Sequence, residues 1–130
     1  MDNKIKQLRK GILELAILGC LYHESHYGYS LVKTLSGEGD ITLTEGTIYP
    51  ILSRLAKEGL IRSEWIASQQ GPPRKYYSVT AGGKKTFEVL NGEFKKLAEL
   101  IVDVKKEPEK KGQEKERKKI LVKKEREDDK

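Results

Sequence analysis

The stretch from Thr44 to Leu60, TEGTIYPILSRLAKEGL, constrains the chain most, because it writes two faces onto one helix. Ile48, Ile51, Leu52 and Leu55 recur at i, i+3, i+4 and i+7, the stripe of a 3.6-residue period that needs a core to pack on. Gly46, Tyr49, Pro50, Ser53, Arg54 and Lys57 fall on the other side, and no acid stands between Glu45 and Glu58. The outward face is small, hydrogen-bonding and cationic. Both ends are legible: Thr44 is an N-cap whose hydroxyl is expected to accept from a first-turn N–H, and Gly59 is a stop. Pro50 runs against the pattern, since an interior proline removes one hydrogen bond at a cost of about 3 kcal/mol. Either the helix bends there or its regular part begins near Tyr49.

Around this stretch the other elements fall into order. Residues 4–22 begin amphipathic, with Ile5, Leu8, Ile12 and Leu15, then turn apolar nearly all round through Ala16, Ile17, Leu18, Cys20 and Leu21. A helix that loses its polar face is buried on several sides, which predicts packing on its own domain and on a second chain, with Gly19 allowing another helix close. Residues 23–27 read as a turn, 28–35 as a short helix with Tyr27, Leu31 and Leu35 inward and Gly37 as its stop, and 36–40 as a loop. Ile41 to Leu43 is expected to pair with an edge supplied later. LIRSEWI (60–66) and RKYYSVT (74–80) read as strands of a long-looped hairpin whose far end carries Arg74 and Lys75. Tyr76 and Tyr77 point to opposite faces, so one is core.

Three helices followed by a ribbon predict a fold that is mainly α with a small β-hairpin: a winged helix-turn-helix domain over 1–80. Thr80 caps a long helix in which Phe87, Leu90, Phe94, Leu97, Ile101 and Val104 are spaced 3, 4, 3, 4, 3. That seam packs either on the chain's own body or between two chains; a C-terminal dimerisation helix over 81–104, and a homodimer, are expected. Residues 105–130 hold 12 Lys/Arg and 8 Asp/Glu, with one apolar knot at Ile120 to Val122. They read as a charged, flexible tail or a charge-laced helix rather than a packed element.

Charge and composition narrow the partners. The chain of 130 residues carries 26 Lys+Arg against 20 Asp+Glu, a formal +6 with pI near 9.3. The tail accounts for +4 of this, leaving +2 for residues 1–104, so placement of charge matters more than its sum. Cys20 stands alone, which excludes an intrachain disulfide and predicts a buried thiol in a reducing compartment. No apolar run reaches the roughly 20 residues that span a bilayer, and no secretory leader is recognisable, so a cytoplasmic protein without a membrane partner is expected.

Catalysis needs convergent groups that the sequence does not assemble. His23 and His26 lie three apart in an expected turn with one distant cysteine, which is no zinc pattern and predicts a surface role; no phosphate loop or nucleophile elbow occurs. The chain reads as a non-enzyme with no cofactor and no metal. Double-stranded DNA fits better. A helix of about four turns enters a major groove roughly 12 Å wide, bringing Thr47, Tyr49 and Ser53 as hydrogen-bonding groups and Arg54 and Lys57 as cations. Arg74 and Lys75 on the wing reach phosphates or a minor groove, and Tyr29 and Lys33 reach the backbone.

The segment HYGYSLVKTL, then EGTIYPILSRLAKEGLI, then GPPRKYYSVTAGG resembles the PadR family of bacterial transcriptional regulators over about residues 8–104. The resemblance implies a winged helix, a homodimer made by the N- and C-terminal helices through residues such as Leu8, Ile12, Leu15, Phe87, Leu90, Phe94, Leu97 and Ile101, and repression at an inverted-repeat operator. It assigns DNA contacts to Tyr29, Thr44, Gly46, Thr47, Tyr49, Arg54 and Lys57, and wing contacts to Arg74 and Lys75. It also implies that a proline is tolerated at position 50. Some members of the short, single C-terminal helix subgroup bind flat aromatic compounds in a pore at the dimer centre. A tryptophan on the last helix frames that pore, and here Phe94 stands in its place. Leu15, Phe94 and Leu97 are therefore the candidate lining for a small aromatic effector, and Trp65 is expected in the core at the wing root. A protein-interaction adaptor, and a small-molecule sensor with weak DNA binding, are the alternative functions.

Overall fold

The computed structural model describes residues 1–37, 41–106 and 111–128, with side chains of the last helix described from 117 to 125. The long helix α1 (Asp2–His23) buries Ile17, Leu18 and Leu21, all in the part where the sequence is apolar around the whole helix. A two-residue strand β1 (His26–Tyr27) leads into α2 (Gly28–Ser36), which ends at Gly37 with φ 48° and its N–H on the Lys33 carbonyl. Helix α3 (Glu45–Lys57) follows, then strands β2 (Ile61–Ile66) and β3 (Arg74–Val79), then α4 (Ala81–Lys105) and α5 (Lys111–Asp128). The strands form one antiparallel sheet in the order β1-β3-β2, with His26 opposite Tyr77 and Trp65 opposite Lys75. Residues 1–95 form one unit and 96–130 a second.

The core of the first unit is where the period of α3 said it would be. Ile48, Ile51, Leu52 and Leu55 are all buried, packed with Ile17, Leu18, Leu21, Leu31, Leu43, Ile61 and Tyr77. Each such side chain contributes roughly 1.5–3 kcal/mol relative to exposure. That sum outweighs the proline's cost of about 3 kcal/mol, and α3 runs as one helix through Pro50 rather than starting at Tyr49. Gly59, at φ 75°, closes α3: its N–H bonds the Ala56 carbonyl and the Leu60 N–H reaches back to Leu55, both at 3.0 Å. This doubly bonded stop needs a left-handed residue, which glycine supplies without a Cβ clash.

Thr80 ties the end of α3 to the start of α4. Its hydroxyl accepts from the Gly83 N–H at 3.0 Å and donates to the Gly59 carbonyl at 2.8 Å, with Leu60 O at 3.1 Å. A Cβ on Gly83 would collide with the Leu60 carbonyl oxygen, so the junction is tight enough to require glycine there. Gly19 admits the ring of Phe87 from α4, and Tyr22 beside it donates to Glu88 at 2.6 Å. That hydrogen bond, foremost, raises the Tyr22 hydroxyl's pKa.

Several expectations are corrected. Residues 26–27 of the expected turn are strand β1, and it is this segment, not Ile41 to Leu43, that pairs with the β3 edge. Leu43 is instead buried as a side chain, its N–H on the Ser36 hydroxyl at 3.3 Å. The Thr44 hydroxyl does not cap α3; it lies 3.3 Å from the Thr47 hydroxyl. His26 is buried rather than superficial, its Nδ1 2.8 Å from the Ser30 hydroxyl and its Nε2 3.3 Å from Glu24. Cys20 is half-buried, and burial followed by the charge of Glu24 raises its thiol pKa. Trp65, expected in the core, is exposed. Residues 111–128 of the charged segment are helical, the charge-laced helix of the two readings. Residues 38–40 of the expected loop and residues 107–110 and 129–130 of the tail lie outside the described residues.

Candidate nucleic-acid interface

Helix α3 turns its unburied side outward as the 3.6-residue period requires: Thr44, Glu45, Gly46, Thr47, Tyr49, Ser53, Arg54 and Lys57 are all exposed. The hairpin of β2 and β3 stands beside it with Arg74 and Lys75 exposed at the β3 start. Between helix and hairpin lies an open hollow of about 500 Å³ lined by Tyr27, Gly28, Tyr29, Glu45, Tyr49, Trp65, Pro73, Arg74 and Lys75. A second, of about 490 Å³, adjoins it along Tyr49, Ser53, Lys57, Ser63 and Lys75. Tyr49 and Lys75 belong to both. The first hollow thus brings together Tyr29, Tyr49, Arg74 and Lys75 from three separate sequence segments, and the second adds Ser53 and Lys57 beside the shared Tyr49 and Lys75.

Aromatic rings lie beneath Arg74, Lys75 and the nearby Lys33. The Arg74 guanidinium sits 4.5 Å above the Tyr27 ring, which stacks on Tyr29 at 6.4 Å and meets Tyr76 edge-on at 5.4 Å. Lys33 lies 5.7 Å over Tyr29, and Lys75 lies 5.9 Å over Trp65 and 5.8 Å over Tyr77. A cation over a ring face is attracted by about 0.5–1 kcal/mol at exposed sites, enough to bias a flexible side chain without neutralising it. Burial, then the neighbouring Tyr49 phenol, raises the Tyr77 hydroxyl's pKa. Of the two adjacent tyrosines, Tyr77 is the core residue and Tyr76 is half-buried.

Not every residue singled out from the sequence stands free. Arg54 turns back to α1, where its Nε donates to Glu14 Oε1 at 2.9 Å. Thr44 and Thr47 face each other at the helix start, their hydroxyls 3.3 Å apart, and neither lines either hollow. Phe87 is half-buried against the core of its own chain, whereas Leu8, Ile12, Leu90, Phe94, Leu97 and Ile101 are exposed and Leu15 is half-buried.

Three residues escaped the sequence reading. Tyr27, expected inward, is half-buried and lies beneath the Arg74 guanidinium. Gly28 makes room for Tyr49: a Cβ there would lie 2.5 Å from the Tyr49 Oη. Glu45 puts a carboxylate in the cationic hollow, and among the described residues it makes no ion pair. Only the spacing HYGY hinted at the first two, and nothing local marks the third. Among the described residues no group of His, Cys, Asp or Glu is disposed to hold a metal ion, and no helix is long and apolar enough to cross a membrane.

A helix pair, α2 and α3, set beside a small three-stranded antiparallel sheet with an outstanding hairpin is a winged helix-turn-helix domain. The model of the transcriptional regulator PadR-like family matches residues 17–89. A PadR-like transcriptional regulator from Bacillus cereus is 35% identical with a TM-score of 0.70, over 78% of this chain and 99% of that one. A PadR family regulator from Eggerthella lenta is 33% identical with a TM-score of 0.70, over 79% and 89% respectively. Bacillus subtilis PadR, solved in complex with operator DNA, is 27% identical with a TM-score of 0.56, over 61% of this chain and 46% of that one. No curated protein is significantly similar. The chain belongs to the PadR-like family of transcriptional regulators.

Proposed function

We propose that this regulator is a cytoplasmic repressor that binds an inverted-repeat operator as a homodimer. Helix α3 enters the major groove with Tyr49, Ser53 and Lys57, Gly46 and Thr47 border the bases at its start, and Arg74 and Lys75 hold the flanking backbone. Tyr29 and Lys33 on α2 touch a neighbouring phosphate. Thr44 positions the first turn, and Arg54 reaches DNA only if its pair with Glu14 opens. The observation that carries this reading is the hollow in which α3, the α2 start and the cationic wing meet. The operator complex of the Bacillus subtilis relative supports it.

The homodimer rests on the exposed apolar residues Leu8 and Ile12 of α1 and Leu90, Phe94, Leu97 and Ile101 of α4. A small planar aromatic bound at the dimer centre beside Leu15 and Phe94 releases the operator. The test is a gel-shift series on the DNA upstream of the protein's own gene, run from low to high salt. Expected is an affinity that falls steeply with salt yet stays at least roughly a thousandfold above that for scrambled duplex. Equal affinity for both duplexes would sink the specific-repressor reading.

A further inference from the structure

The register of the hairpin puts Ile61, Ser63 and Trp65 on one face of β2, opposite Val79, Tyr77 and Lys75. At the root this face is core, with Ile61 and Tyr77 buried. Further out the same face has outrun the core, and Trp65 is 69% exposed. Its ring lines the hollow between hairpin and α3, where Tyr49, Arg74 and Lys75 also stand. A tryptophan left in water forgoes a large hydrophobic gain, and its rigid ring brings contact area at low entropic cost, which is why such residues mark binding surfaces. Lys75 lies 5.9 Å over the ring, so an apolar plate and a cation are presented together.

We propose that Trp65 is a DNA-contacting residue of the wing, its ring packed on a deoxyribose of the duplex backbone and its Nε1–H donated to a phosphate oxygen, while Lys75 meets the adjacent phosphate. The proposal rests on the DNA-binding reading above. The chemistry fits one occupant: a sugar–phosphate backbone offers an apolar sugar face next to an anion, matching a plate next to a cation. Such a contact orients the wing and carries no base preference.

The chain has one tryptophan, so its fluorescence reports this residue alone. The full-length protein is titrated with end-labelled duplex, the label's anisotropy reporting binding and acrylamide quenching of Trp65 reporting cover. At saturation the quenching constant is expected to fall by roughly half or more, since the ring passes from largely exposed to covered. Trp65→Ala is expected to weaken operator and scrambled duplex alike by roughly tenfold with an unchanged salt slope, whereas Lys75→Ala lowers that slope by about one. Trp65→Phe recovers most of the loss, and both variants keep the parent melting temperature because the side chain is outside the core. Saturated anisotropy with unchanged quenching overturns the proposal and leaves DNA binding intact; no anisotropy change on any duplex overturns both. Quenching that falls with protein concentration alone, or only with planar aromatics, assigns the ring to a second chain or an effector and likewise overturns it.

Discussion

Two glycines of the candidate face illustrate how one missing Cβ serves two different ends. At Gly46 an added Cβ would meet only Thr44 Oγ1, at an ordinary 3.6 Å, so nothing in the fold demands glycine there. Glycine inside a helix costs up to about 1 kcal/mol relative to alanine. Gly46→Ala is therefore expected to raise stability by about 0.5–1 kcal/mol in thermal or urea melts. At the proposed interface the same methyl would come between α3 and a base edge, so operator affinity is expected to fall in an anisotropy titration; a stabilised variant with unaltered affinity would remove Gly46 from the interface. Gly28 differs, because its Cβ would displace the Tyr49 hydroxyl. Gly28→Ala is expected to leave the melting temperature within a few degrees and to cut operator affinity by roughly tenfold, the loss of one well-placed contact. A large drop in melting temperature would instead make Gly28 a packing residue of α2.

Elements whose signals are local were legible in the sequence, and elements made by distant partners were not. The stripe of α3, its Gly59 stop and the Thr80 cap of α4 each depend on residues within about one turn, so period and capping chemistry found them. β1 is two residues long and exists because Tyr76 and Tyr77, some fifty positions later, supply an edge. Trp65 was misjudged for a related reason: strict alternation on β2 gives the face of a residue but not how far along the strand the core extends. The neighbours of His26 read as a turn, yet it is buried in a strand that pairs with β3. In the candidate site, the cations and hydroxyls of α3 were legible from its face, while the roles of Tyr27, Gly28 and Glu45 depend on which side chains three segments bring together. The Thr80 junction tests how far local capping supports the whole. Thr80→Ala removes the acceptor for the Gly83 N–H and the donor to Gly59, so unfolding free energy should drop by about 1–2 kcal/mol in urea melts, with Thr80→Ser restoring most of it. The Arg54–Glu14 pair, by contrast, has side chains 43% and 26% exposed and should contribute no more than about 1 kcal/mol in a double-mutant cycle. A larger coupling would mean that the pair holds α3 against α1.

For the whole molecule, the decisive quantity is the apolar surface left over once the core is filled. The heptad residues of α4 divide: Phe87 is taken by Gly19 and Tyr22 of the same chain, while Leu90, Phe94, Leu97 and Ile101 are 40–61% exposed. On α1, Leu8 is 67% exposed, although the far end of that helix anchors the core. Apolar stripes of this length are the surface that the proposed homodimer would bury, and a two-fold axis would use each twice. Leu97→Glu combined with Leu8→Glu puts charges on surfaces already open in the single chain, so the folded chain loses little, whereas a dimer seam would have to bury them unpaired at a cost of several kcal/mol. Sedimentation velocity at micromolar concentration is expected to find the parent as a dimer and the double variant as a monomer with unchanged circular dichroism. Operator affinity should then fall by roughly a hundredfold or more, because two half-sites no longer act at a shared effective concentration. If the variant sediments with the parent, these stripes are not the seam. If it is monomeric yet binds the operator as tightly as the parent, each α3 and wing reads its half-site alone, and the two-fold presentation of the recognition helix is wrong.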